Sequence, residues 1–137
     1  MELTEHFTLF VVDDPTKCSG FYEQYFGFQR TVDMGWYVQL ESTGANPYGL
    51  AFMAPGHASQ SRDHDTVVAG NLFLTFGVAD ATAERDRLAD AGVAVCQQLR
   101  DEPWGQRHFI VSDPAGIGID IVEEIEPDPA FLAGAGV

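Results

Sequence analysis

The sequence predicts an α+β fold in which one βαβββ unit is used twice, and three observations carry that prediction. HFTLFVVDD (6–14) and FLTFGVADA (73–81) are strand-like runs, each followed by a helix-like stretch and then a glycine, Gly27 or Gly92. Aligning Asp13 with Asp80 gives an offset of 67, and the two glycines differ by 65. YGLAFM (48–53) matches IGIDIV (117–122) at an offset of 69. Self-similarity of this kind marks a repeated structural unit.

The elements follow in order. His6–Val12 has the β-branched and aromatic content of a strand. Asp14-Pro15 is a helix start, with aspartate as cap and proline in the first turn. Cys18, Phe21, Tyr22, Tyr25 and Phe26 then form an apolar stripe at helical spacing, which Gly27 ends. Strands are expected near 28–33, 36–42 and 48–54. The second unit repeats this with a strand at 71–79, a helix opened by Asp80 and ended near Gly92, and strands near 93–100, 106–112 and 117–124. Its helix is only modestly amphipathic, through Leu88 and Ala91. One domain spanning 1–137 is therefore expected: a first module at about 5–54, a polar connector at 55–70, a second module at about 71–124 and a tail at 125–137 without clear period.

A sheet covered by a helix on one face must use its other face for something. Side chains alternate along a strand, which assigns Phe7, Leu9, Val11, Leu50, Phe52, Leu72, Leu74, Phe76, Val78, Phe109, Val111 and the isoleucines of IGIDIV to the helix side. The opposite face receives His6, Thr8, Phe10, Ala51, Met53, Phe73, Thr75, His108, Ile110 and Asp120. That mixture of polar and apolar groups suits a ligand cleft.

The composition sets limits. In 137 residues there are 21 Asp and Glu against 7 Lys and Arg, for a net charge of −14. Nucleic acid, which needs a basic footprint, and anionic membrane surfaces are excluded as partners, and neutral or cationic small molecules are favoured. The two cysteines, Cys18 and Cys96, imply no disulfide framework. MELTEHF lacks the basic and apolar regions of a signal peptide, and no apolar run is long enough to cross a membrane. A cytoplasmic setting is expected.

HFTLFVVDDPTKCSGFYEQYFGF resembles the first module of the vicinal oxygen chelate superfamily, and FGVAD with PWGQRHFIVSDPAGIGIDIV resembles its second. That superfamily includes glyoxalase I, extradiol dioxygenases, fosfomycin-resistance enzymes and bleomycin-resistance proteins. The resemblance runs to about Glu124 and implies paired βαβββ modules in a curved mixed sheet around a cleft, commonly in a homodimer. The metalloenzymes of the family place ligands on the first and last strand of each module. Those points fall here on His6, Ala51, Phe73 and Asp120. Metal sites take three or four donors from His, Cys or carboxylate. Ala51 and Phe73 offer none, so no metal and no other cofactor is expected. A His6–His108–Asp120 ligand set remains as the metal-binding alternative.

The resemblance also places Trp104 beside the cleft, either stacking on a planar ligand or closing its loop. By alternation one of Trp36 and Tyr37 faces the cleft, as pocket wall or as packing. His57 and His64 sit in the connector, as part of a solvated loop or of a lid. The expected function is metal-free binding of an aromatic or cationic compound, such as an antibiotic, in the manner of bleomycin-resistance proteins. Ligand-contacting residues would be His6, Trp36, Tyr37, Met53, Phe73, Thr75, Trp104, His108 and Asp120. The alternatives are a glyoxalase-like metal-dependent lyase, isomerase or dioxygenase, a metal-free acid–base enzyme using His6, His108 and Asp120, and a regulatory module with a vestigial cleft.

Overall fold

A computed structural model describes residues 1–68 and 70–134. The last residues of the tail, 135–137, and position 69 of the connector lie outside the described residues. The chain divides into two compact units, Met1–Ala69 and Gly70–Val137.

In the first unit, β1 (Phe7–Val11), α1 (Pro15–Tyr25), β2 (Phe28–Asp33), β3 (Tyr37–Ser42) and β4 (Gly49–Met53) follow in the expected order. The sheet order is β1-β4-β3-β2, with β1 parallel to β4 and the other pairs antiparallel. The Asp14 carboxylate accepts from the Lys17 amide at 3.0 Å, satisfying a helix N–H that has no intrahelical partner. From that start α1 buries Cys18, Ser19 and Tyr22. The Ser19 hydroxyl loses no hydrogen bond on burial, because it donates to the Pro15 carbonyl at 2.7 Å. Tyr22 packs on Phe52 with ring centroids 5.4 Å apart, and Phe52 stacks on Phe10 at 5.8 Å. Val38, Leu40 and Leu50 complete this core.

That packing corrects the predicted faces of β1. Phe10 is 4% exposed on the helix side, whereas Leu9 is 42% exposed. Thr8 and Phe10 thus share the helix side with Leu50 and Phe52, and Phe7, Leu9 and Val11 share the other face with Gly49, Ala51 and Met53. The run FTLFVV is apolar at both parities, so alternation alone leaves its register open, and a one-residue slip exchanges every side chain. The caps decide it. α1 is capped by Asp14 and the second helix by Asp80, so the offset is 66 and Phe7, rather than His6, is the counterpart of Phe73.

The second unit contains β5 (Phe73–Gly77), α2 (Ala81–Asp90), β6 (Val95–Glu102), β7 (Gln106–Ser112) and β8 (Gly118–Glu124), with sheet order β5-β8-β7-β6 and β5 parallel to β8. Asp80 caps α2 by accepting from the Ala83 amide at 2.9 Å. Ala81 and Leu88 are the buried residues of α2, while Ala91 is exposed at its end. Leu74, Phe109, Val111, Ile117, Ile119 and Ile121 are buried on the helix side, as alternation predicts.

The tail differs from expectation, because part of it is helical: α3 (Pro129–Gly134). Asp128 supplies the reason, since its carboxylate accepts from the Ala130 amide at 2.8 Å and proline opens the turn. The tail is tied to the β6–β7 turn by Ile125 N–H to Gly105 carbonyl (2.9 Å) and Asp128 N–H to Pro103 carbonyl (2.8 Å). Gly105 has φ +106, and a Cβ there would stand 2.8 Å from the Ile125 carbonyl and 2.9 Å from Pro127 Cγ. Only glycine accommodates both conditions.

The β1 register yields a direct test. Phe10→Ala should destabilise the protein by about 3–5 kcal/mol, the range for deleting a buried aromatic, and Leu9→Ala by under about 1 kcal/mol. Urea unfolding of the two variants measures this, and the reverse ranking would restore the opposite register.

Candidate functional site

The chemistry of the second unit gathers on the sheet face away from α2. β5 contributes Phe73 and Thr75, β8 contributes Asp120, β7 contributes His108 and Ile110, and β6 contributes Gln97, Arg100 and Glu102. The strand register brings them together: Thr75 lies across from Asp120, Asp120 from Ile110, and Arg100 from His108. Phe73 is 59% exposed. It pairs with Gly118, where a Cβ would meet its ring at 2.5 Å, so the ring lies over bare backbone.

His108 is the centre of a hydrogen-bonded chain across three strands. Its Nδ1 is 2.8 Å from Asp120 Oδ1 and its Nε2 is 3.2 Å from Glu102 Oε1. Arg100 Nε in turn lies 2.5 Å from Glu102 Oε1, and the Gln97 amide nitrogen is 3.5 Å from His108 Nε2. Glu102 is only 8% exposed. A carboxylate so buried is costly without partners, and His108 and Arg100 supply them. Burial by itself pulls the His108 pKa down. The hydrogen bond to Asp120, then that to Glu102, and the charges of both outweigh it, so the pKa stands above its ordinary value. With each ring nitrogen facing a carboxylate, the imidazolium that donates from both is the form these partners favour.

Asp120 keeps a side chain 23% exposed, and its second oxygen accepts from no donor among the described residues. Glu102 was not singled out from the sequence. Its signal was the short Pro103-Trp104-Gly105 turn, which pairs Glu102 with Gln106 and so places it on the face of His108.

Trp104 stands at the far end of this sheet from Phe73. β8 separates their levels by six residues, about 20 Å at strand spacing, so the two rings cannot clasp one small ring system. The Trp104 indole N–H donates to Gln106 Oε1 at 2.8 Å, and its ring lies 6.2 Å from that of Phe131 in α3.

The remaining predicted residues belong to the first unit. His6 is exposed just ahead of β1. Met53 is buried and pairs with Tyr37 on the face away from α1, where the Gln60 side-chain amide reaches its sulfur. Burial, and then the charge of Glu5, raise the Tyr37 pKa, and its hydroxyl donates to Gln39 Oε1 at 2.7 Å. Trp36 immediately precedes β3 and stacks on His57 of the connector, with centroids 3.7 Å apart and planes 5° from parallel. His64 lies in a short 3-10 turn, Arg62–His64.

The model of the Glyoxalase/Bleomycin resistance protein/Dioxygenase superfamily matches residues 4–121. The chain belongs to this superfamily. Similar solved structures include a glyoxalase/bleomycin resistance protein/dioxygenase from Nocardioides, with TM-score 0.74 and 15% identity over 94% of this chain and 89% of that one. A lactoylglutathione lyase from Agrobacterium tumefaciens gives TM-score 0.69 and 17% identity over 90% and 96%. TioX from Micromonospora sp. ML1 gives 0.64 and 20% over 88% and 99%. Identities this low carry the fold and not the activity. No curated protein matches the chain.

The superfamily's metalloenzymes imply a metal, and the donors here do not fit one. With the register set by the caps, the four corresponding points become Phe7, Ala51, Phe73 and Asp120. Asp120 alone bears a donor atom, and one of its oxygens already pairs with His108. Among the described residues no group of three or more His, Cys, Asp or Glu is arranged to hold an ion.

The raised His108 pKa fixes the sign of a pH effect. A proton held more tightly in the folded than in the unfolded chain stabilises most fully below the unfolded pKa, near the ordinary 6.5, and that contribution is lost as pH rises through the folded value. The melting temperature of the wild type should therefore fall relative to that of His108→Gln as pH is raised from below 6.5 into the alkaline range. Parallel curves would show that His108 gains nothing from its two carboxylates.

Proposed function

We propose that this protein is a metal-free small-molecule-binding protein of the bleomycin-resistance-like kind, working as a cytoplasmic homodimer. Its ligand is a planar aromatic compound, an antibiotic being one such, with a cationic or N–H donor group. The observation that carries this reading is the division of labour at Asp120: one oxygen is occupied by His108, and the other has no protein donor among the described residues. A ligand donor placed there completes the carboxylate's hydrogen bonds, and a ligand ring beside it meets Phe73, the exposed aromatic two positions along the same face. Trp104 adds a contact only for an extended compound. The net charge of −14 favours the approach of a cation.

A second reading, metal-free acid–base catalysis, is supported by the same His108. An imidazole backed by Asp120 resembles the base-and-orienter arrangement of proton-transfer enzymes. To act so, His108 must release Glu102 and turn Nε2 towards substrate, which costs a buried ionic hydrogen bond.

Proflavine, a planar aromatic cation, serves as the test ligand. Saturable binding is expected, weakened by about 1–3 kcal/mol in Phe73→Ala and by at least about tenfold in Asp120→Asn. Protein purified without chelators should carry well under one metal ion per chain. Zinc, nickel or manganese should leave its melting temperature unchanged, because a ligand selective for the folded state would raise it. Stoichiometric metal lost in Asp120→Ala would overturn the proposal, and so would proflavine binding indifferent to both Phe73 and Asp120.

A further inference from the structure

Asp120 can select a ligand only if its carboxylate is held in one orientation, and a lone carboxylate on a strand rotates freely about its terminal bond. His108 is the group in contact with it, so what fixes His108 fixes Asp120. We infer that Glu102 is a positioning residue for the Asp120 acceptor, acting through the imidazole of His108. This inference rests on the reading that Asp120 receives the ligand's donor.

The geometry supports it in three steps. Glu102 lies on β6, His108 on β7 and Asp120 on β8, so the chain of hydrogen bonds runs across the sheet and each strand pins one member. The ring of His108 has two opposed attachments, 2.8 Å to Asp120 and 3.2 Å to Glu102. Turning the ring breaks both, whereas a ring held by Asp120 alone turns with it. Glu102 is itself paired with Arg100, whose Nε lies 2.5 Å from the same oxygen that faces His108, so the two partners together favour the orientation seen. Hydrogen bonds linked in a chain through a half-buried imidazole reinforce one geometry more than its pairs would separately. Of the two carboxylates that hold the ring, Asp120 is the one with an oxygen that accepts from no donor among the described residues.

Glu102 is buried to 8% exposure, and nothing in a ligand contact at Phe73 and Asp120 calls for a second carboxylate two strands away. Groups that orient a binding residue matter to its performance, and where they orient metal ligands their removal typically costs about tenfold or more.

The experiment uses the full chain with Glu102→Met, which keeps the volume and removes the acceptor, and Glu102→Gln, which keeps an acceptor. Proton and nitrogen resonances of the His108 ring are measured at slightly acidic pH, alongside proflavine affinity and melting temperature. The wild type should show two slowly exchanging ring N–H protons on His108. Glu102→Met should lose the one on Nε2, broaden the one on Nδ1 and bind proflavine about tenfold more weakly. Glu102→Gln should restore both ring signals and most of the affinity. A wild type with both ring signals and no proflavine binding overturns the ligand reading and leaves the positioning role in place. A single ring N–H in the wild type overturns the positioning role. So does a folded Glu102→Met that keeps both ring signals or full affinity.

Discussion

The hydrogen bond between His108 and Asp120 sets what the open face of the second sheet can do. It consumes one carboxylate oxygen and one ring nitrogen, and Glu102 consumes the other nitrogen. A His–carboxylate pair with free lone pairs directed to a common point would be the beginning of a metal site. Here each ring nitrogen is turned to a carboxylate oxygen, and its N–H donates to that oxygen's lone pair. The same residue types, met on the same face, are thereby engaged with one another, and the difference from a coordinating set is one of direction.

The two units show how much chemistry a common scaffold leaves open. Both use an aspartate-capped helix, a parallel pair of first and last strands, and a phenylalanine beside a glycine at the start of that pair: Phe7 with Gly49, Phe73 with Gly118. One step along, the first unit places Leu9 across from Ala51, and the second places Thr75 across from Asp120. The polar network is thus confined to one copy of the repeat. Nothing in the packing of the helix side required it, since Phe52 and Ile121 fill equivalent core positions whatever stands on the reverse of the strand.

Much of this was legible in the sequence. The alternation in IGIDIV and in RHFIV has a single apolar parity at its decisive positions, so the faces of β7 and β8 followed from counting. In FTLFVV both parities are apolar, and counting failed by one residue until the helix caps were matched. That slip mattered for function as well as packing, because it put a histidine where the repeat has a phenylalanine. Glu102 was missed for a different reason: its burial depends on pairing across a turn, which a residue-by-residue inspection of polarity does not weigh. The helix of the tail was hidden because six residues, opened by Asp128 and Pro129, span under two turns and are too few to show a period.

A loop tip is ordinarily where a chain accepts insertions and substitutions most readily. The turn between β6 and β7 is denied that latitude. Gly105 is pressed against Ile125 and Pro127 on one side, while its neighbour Trp104 reaches Gln106 and Phe131 on the other. Lengthening this turn by one residue would shift Glu102 against Gln106 and lift the chain's last helix from its seat together. This turn is therefore governed like an interior segment, and sequence change is accommodated more readily at the opposite end of the sheet, around the exposed Phe73.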